Sequence, residues 1–263
     1  MSDSEKFNQI GRFRYGMMIY NKNDAYIGRS IEKYGEYSEL ETVIFDQFVQ
    51  PGQLVVEVGA NIGAHTLYFS QKVGSEGLVL AFEPQRIVYQ TLCGNLALNS
   101  ITNVFCWNTA VGAENGELIV PALDYKQENN FGGIELGTNI DGETVAVVTI
   151  DNLKLPKCDV IKIDVEGMEE AVLKGAAETI KQFKPVLYVE CDRADREESL
   201  IRTIDSLGYA MHWHRPALFN PNNIAGDEQN IFEDIVSQNL LCIDKTIDQQ
   251  LTGFDKVEIP KAA

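Results

Sequence analysis

The sequence predicts an α/β chain built on a doubly wound, Rossmann-like, mostly parallel sheet. Three observations predict it. From residue 54 onward, short and nearly continuous apolar runs alternate with helical patterns, as expected of strands buried on both faces. The first run passes through a glycine-containing turn directly into a helix. The second run ends on Glu83, 26 residues after Glu57 in the first, where a nucleotide-binding unit keeps an acidic residue for ribose.

Taken in order, 11–31 reads as short extended pieces and 38–49 as a helix. Runs at 54–58, 78–82, 104–107, 145–150, 160–163 and 186–189 read as strands of the sheet. Helices are expected at 64–72, 86–98, 168–183 and 197–207. Val172, Ala176 and Ile180 share one face of the third at i, i+4 spacing. Gly208 stops the fourth. The stretch 112–144 is polar and glycine-containing, with an extra strand at 118–121, and 212–233 is irregular around Pro216, Pro221 and several asparagines. Loops of such length in a compact domain are usually functional or mobile, and these fall where a substrate cap belongs. The expected division is an N-terminal cap over 1–50, a main domain over 51–245 with an inserted substrate-side loop near 212–233, and a tail over 246–263.

Composition narrows the function classes. Of 263 residues, 44% are hydrophobic and 23% charged, which suits a globular domain and excludes a fibre or a disordered chain. Twenty-two basic against 39 acidic residues give a formal charge of -17, which repels phosphate backbones and anionic lipid, so nucleic acid is not expected as partner. No run reaches the length of a membrane span, and the polar start lacks a secretory h-region. The five cysteines are odd in number and widely spaced, without a CxxC pair. They read as reduced, buried residues of a soluble cytoplasmic protein. Self-association is left open by the sequence.

The motif carrying most information is VVEVGANIGAHT, residues 55–66. Glu57 lies in the buried strand, and Gly59, Asn61 and Gly63 shape the turn. Glycine there allows positive φ and close approach to a ligand, beside the free N–H groups of a helix start. The third glycine of the dinucleotide fingerprint is missing, which disfavours a nicotinamide dehydrogenase. LVLAFEP supplies Glu83 and Pro84, and CWNTAVG places Asn108 or Ala110 at the same sheet edge, where an adenine could lie. DVIKIDVEGMEEAVLKGA puts Asp164 and Glu166 at a strand-to-helix opening, and PVLYVECD puts Glu190 and Asp192 at the end of the next strand. Such strand ends share one crevice. Like charges gathered there demand a bound cation, a cationic ligand, or a raised pKa suited to a general base. In MHWHRPALFNPNN, His212 and His214 alternate around Trp213, so a strand would turn both to one side.

Together these segments resemble the FkbM family of S-adenosylmethionine-dependent methyltransferases, in order from about residue 52 to 208. The resemblance implies a class I methyltransferase fold with an antiparallel last strand at 238–243. It also implies that Gly59, Ala60, Asn61 and Gly63 line the methionine end of the cofactor, with Glu57 beside them. Glu83 and Pro84 would lie at the ribose, Asn108 to Ala110 at the adenine, and Asp164 near the methionine amino group or the sulfonium. The acceptor implied is a hydroxyl of a small molecule or a glycan sugar.

Methyl transfer needs the acceptor, methyl and sulfur aligned, and an alcohol needs a base or a metal to take its proton. Glu166, Glu190 and His214 are the candidates, acting directly or around a divalent cation. The competing readings are an N-methyltransferase on an amine or protein, which needs no strong base, and a non-catalytic cofactor-binding scaffold.

Overall fold

The computed structural model describes residues 6–136, 141–247 and 253–260. The chain opens with an antiparallel hairpin, β1 (Asn8–Phe13) and β2 (Gly16–Asn21), followed by helices α1 (Ile27–Tyr34) and α2 (Glu39–Phe48). The extended reading of 11–31 therefore fails beyond Asn21. Asp24 explains why: its carboxylate accepts the backbone N–H groups of Tyr26 at 3.0 Å and Gly28 at 3.2 Å, capping a helix whose Ile27, Ile31 and Tyr34 are buried on one face.

Then come β3 (Leu54–Val58), α3 (Ala64–Val73), β4 (Leu78–Phe82), α4 (Arg86–Leu98), β5 (Val104–Trp107), β6 (Ala110–Val111), β7 (Gly116–Pro121) and β8 (Gly142–Val148). The rest is β9 (Val160–Ile163), α5 (Glu169–Lys174), α6 (Ala177–Phe183), β10 (Val186–Glu190), α7 (Glu197–Ser206), β11 (Tyr209–His214), β12 (Asn239–Asp244) and β13 (Asp255–Lys256). The central sheet has the order β13-β11-β12-β10-β9-β3-β4-β5. β12 runs antiparallel to both β10 and β11, while β3, β4, β5, β9 and β10 are parallel. The order reverses between β3 and β9, so the carboxyl ends of those two strands flank a topological switch point, where α/β sheets hold ligands.

Alternating strand residues feed the two faces. Val56, Val58, Ile161, Ile163, Leu187 and Val189 pack with α5, α6 and α7 on one side. Val55, Val79, Val160 and Tyr188 pack with Phe45 of α2 and Phe69 of α3 on the other. Each fully buried aliphatic or aromatic side chain contributes about 1.5–3 kcal/mol.

Two further expectations are corrected. The run at 145–150 is not in the central sheet: β8 pairs with β6 and β7 in a separate three-stranded sheet. Most of its residues are exposed or half-buried, and Val145 alone is buried, packing with Ala110 and Val120 in a small cluster of its own. The helix expected at 168–183 is two helices. Gly175 interrupts it because the chain passes too close for a side chain: a Cβ there would lie 2.0 Å from the Gly112 carbonyl oxygen. Asp151 then starts α6 from outside, accepting the N–H groups of Glu178 at 3.1 Å and Thr179 at 2.8 Å.

Candidate active site

The carboxyl ends of β3, β4, β9 and β10 open into one cleft containing about 1170 Å3 of space, counting its mouth. Glu57, Gly59, Ala60, Asn61, Glu83, Asp164, Glu166 and Glu190 all line it. A narrower, mainly apolar slot adjoins it at Gly59, with Phe82, Pro84, Thr109, Ala110 and Val165 among its walls.

The turn after β3 explains its glycine. Gly59 has φ +82, and a Cβ on it would lie 1.7 Å from the Asp164 carbonyl oxygen. The ends of β3 and β9 can approach this closely only with hydrogen at that position. Asn61 also takes a left-handed φ of 50, and its side-chain oxygen accepts the Ile62 N–H at 2.8 Å. Gly63 has φ +92 against Leu92 and starts α3 without lining the cleft.

Glu83 is 3% exposed and bonded on both oxygens, to the N–H of Asn61 at 3.0 Å and of Gln85 at 2.8 Å. Burial pushes its pKa up to about 7, against those two N–H groups. The Asn108 amide donates to the Glu83 carbonyl at 3.0 Å and the Pro84 carbonyl at 2.8 Å, so Asn108 braces the β4 exit rather than lining either cavity. Beside it, Thr109 Oγ1 is buried without a partner at the slot.

Lys162 was not singled out in the sequence, although a charge inside the apolar run VIKI was its signal. Its side chain is 3% exposed, and its Nζ donates to Asp164 Oδ2 at 2.8 Å. Register places Glu57, Lys162 and Tyr188 side by side on β3, β9 and β10. Burial lifts Glu57 to about 7 against the opposing charge of Lys162, and Thr66 donates its hydroxyl to Glu57 at 2.7 Å. Burial likewise lifts Glu41, another cleft residue, to about 7. Asp164 stays below the usual carboxylate range: burial opposes ionisation, but Lys162 more than offsets it.

Glu166, Glu190 and Asp192 form the second half of the site, with carboxylate oxygens within 4.8 Å of one another. Glu166 has a left-handed φ of 54, and its Oε2 accepts from Arg193 Nη2 at 2.7 Å. Its pKa is up at about 7, from burial first, with Arg193 opposing. Glu190 is pushed well above its ordinary value by burial and then by Asp164, Glu166 and Asp192, and its Oε2 is buried without a partner. The three carboxylates have the hard oxygen donors a divalent cation takes, while Arg193 already supplies one positive charge against Glu166.

His214 is not among the residues lining the cleft. Its Nδ1 lies 2.8 Å from the Tyr188 hydroxyl, and burial lowers its pKa to about 4. It is a neutral ring packed behind Tyr188, outside the cleft. His65, the third histidine, does line the cleft. Burial lowers its pKa to about 3, and its Nε2 has no partner. Tyr26, Asn130 and Leu218, from the N-terminal segment and the two long loops, also line the cleft, as does Asn239 at the start of β12.

The residues fit a nucleoside cofactor: a buried acidic side chain at the β4 exit, an apolar slot with an unpartnered hydroxyl, and a helix start behind a glycine turn. Comparison with known proteins agrees. The profile of the Methyltransferase FkbM domain matches residues 57–211. "Methyltransferase 1" of Beauveria bassiana (strain ARSEF 2860) is 24% identical over 185 residues, covering 62% of this chain and 74% of that protein. "Methyltransferase sdnD" of Sordaria araneosa is 30% identical over 157 residues, covering 47% of this chain and 60% of that one. The crystal structure of an FkbM methyltransferase from Methylobacillus flagellatus KT shares the fold with a TM-score of 0.50 at 18% identity, over 77% of this chain and half (50%) of that one. A precorrin-6y C5,15-methyltransferase from Geobacter metallireducens GS-15 superposes with a TM-score of 0.50 at 11% identity, over 78% and 89% of the two chains. Among the described residues no helix is long and apolar enough to cross a membrane. The chain thus belongs to the FkbM family of S-adenosylmethionine-dependent methyltransferases.

Proposed function

We propose that the enzyme methylates a hydroxyl oxygen of a small-molecule or glycan acceptor, with Glu190 as general base. The observation carrying this reading is the Glu190 carboxyl, which lines the cleft with a buried, unpartnered Oε2 and a strongly raised pKa. An alcohol must lose a proton as it is methylated, and a base of raised pKa takes it most effectively near neutrality. A neutral amine already has its lone pair free and attacks without such a group, although an ammonium must first lose a proton.

The cofactor supplies the methyl group on a sulfonium sulfur, which keeps the electron pair of the bond that breaks. Glu83 would hold the ribose, Pro84, Thr109 and Ala110 the adenine, and the turn from Gly59 to Asn61 with the start of α3 the methionine carboxylate. Asp164, held ionised by Lys162, would face the positive end of the cofactor. Glu190 takes the hydroxyl proton. Glu166 and Asp192 keep its pKa high by like charge. The formal charge of -17 favours a neutral acceptor over a polyanion.

Glu190→Gln keeps the shape and removes the base. Turnover is expected to fall by about 10²–10⁴ with S-adenosylmethionine affinity within a few-fold of wild type. Wild-type turnover in this variant at saturating cofactor would remove Glu190 as base. A strict requirement for added magnesium would recast Glu166, Glu190 and Asp192 as ligands.

A further inference from the structure

Glu190 Oε2 is not the only cleft atom without a hydrogen bond. Asn239 is 5% exposed, lines the same cleft, and its Nδ2 has no hydrogen bond. The two residues are directly opposed in the antiparallel pairing of β10 with β12. Opposed residues project from the same face of a sheet, with Cβ atoms about 4.5–5.5 Å apart. The cleft floor therefore carries one unsatisfied acceptor and one unsatisfied donor, side by side. Buried polar groups are nearly always paired within the protein, and an unmade pair costs stability.

We propose that Asn239 is a positioning residue that selects a neutral hydroxyl as methyl acceptor; this rests on the hydroxyl reading above. A hydroxyl both donates and accepts. Its oxygen takes the Asn239 N–H while its hydrogen points to Glu190 Oε2, leaving a lone pair for the new bond to carbon. When that bond forms, the hydroxyl proton passes to Glu190. An ammonium group has donors and no lone pair, so it would satisfy Glu190 and leave Asn239 facing another donor. A carboxylate or phosphate would satisfy Asn239 but lie against Glu190, Asp164 and Glu166. Discrimination of this kind is strong because a mismatched ligand leaves a buried polar group unpaired.

The test uses Asn239→Leu, which removes the donor at similar volume, and Asn239→Ser, which keeps a shorter one. Each full-length variant is compared with wild type by thermal unfolding, by titration with S-adenosylhomocysteine, and by methylation of a library of alcohols and their matched amines. Asn239→Leu is expected to melt no lower than wild type, because the lost donor had no partner to lose. It should bind S-adenosylhomocysteine as wild type does, and its ratio of alcohol to amine methylation should fall by at least about tenfold. Asn239→Ser should recover part of that ratio. An Asn239→Leu chain that melts lower or fails to fold assigns Asn239 to the fold and overturns the proposal. So does an unchanged alcohol-to-amine ratio while wild type methylates alcohols, and the hydroxyl reading then survives. A wild type that methylates amines in preference defeats the hydroxyl reading itself. If no library member is methylated, the melting comparison alone decides.

Discussion

Replacing Lys162 with methionine removes the positive charge from the centre of the cleft while keeping the length of the side chain. Lys162 is 2% exposed and bonded to Asp164, with Glu57 and Glu41 also acting on it. Breaking a buried pair by removing one partner costs about 3–5 kcal/mol. The Asp164 side chain is 41% exposed to the cleft, so solvent screens part of its share and the lower end, about 3 kcal/mol, applies. For a domain of this size that is a melting-temperature loss of about 6–12 °C. The loss should depend on pH in a defined direction. In the wild type, the raised Lys162 pKa contributes stability that is complete below 10.5 and lost as pH climbs through its folded value. The depressed Asp164 pKa contributes stability present above 3.8 and lost as pH falls through its folded value. Across the neutral range the pair is therefore intact. In the variant, Glu41 and Glu57, already at about 7 against an ordinary 4.5, move higher still. A carboxyl with a raised folded pKa loses about 1.4 kcal/mol of stability per pH unit between its unfolded and folded values. That losing window now extends further upward, so the deficit should be larger at about pH 8.5 than at about pH 6. Thermal unfolding of both proteins at the two pH values measures it. A variant that melts with wild type at the higher pH, or a deficit independent of pH, would refute the electrostatic account of the cleft.

Gly59→Ala should abolish S-adenosylhomocysteine binding and lower the melting temperature, because its Cβ would lie 1.7 Å from the Asp164 carbonyl oxygen in a left-handed turn; wild-type titration would contradict that packing. Glu83→Gln leaves one of the N–H groups of Asn61 and Gln85 facing an amide donor, so the turn should loosen and S-adenosylhomocysteine affinity fall by about 10–100-fold in calorimetry. Glu166→Gln removes a like charge that raises Glu190, so the acid limb of the turnover–pH profile should move to lower pH. A limb that stays in place would detach Glu166 from Glu190.

What the sequence made legible follows from what is local. The buried runs at β3, β4, β9 and β10 are apolar but for single charges such as Glu57 and Lys162 and are bounded by glycine, proline or acid, so each strand and the residue at its end could be read directly. Glu83 is informative because a carboxylate beside a proline at the close of an apolar run has few other uses. The failures are non-local. The apolar run containing β8 looks like its neighbours, and its removal to a second sheet depends on pairing with β7, about 25 residues back. The break in the 168–183 helix depends on Gly112 pressing against Gly175. Asn239 carries no motif, and its role emerges only when β12 lies antiparallel beside β10. His214 has titrating chemistry, yet packing decides that it meets Tyr188 instead of the cleft.

The carboxylates that looked excessive in the sequence have one physical logic. The cleft holds Glu41, Glu57, Glu83, Asp164, Glu166, Glu190 and Asp192 around the buried Lys162. Four of these acids, Glu41, Glu57, Glu83 and Glu166, have pKa values lifted to about 7, so at neutrality they are poised between charged and uncharged forms. A cationic ligand tips them toward the carboxylate, and its own affinity gains from doing so. In the proposed reaction the positive charge on sulfur and the negative charge on Glu190 disappear together. A partly desolvated site favours a step that annihilates opposite charges over the same step in water, where both ions are well hydrated. Burial of Glu190 thus does two things at once: it raises the carboxyl's proton affinity and makes the loss of its charge downhill. The same loss weakens the attraction between the cleft and the spent cofactor, which no longer carries the charge that drew it in.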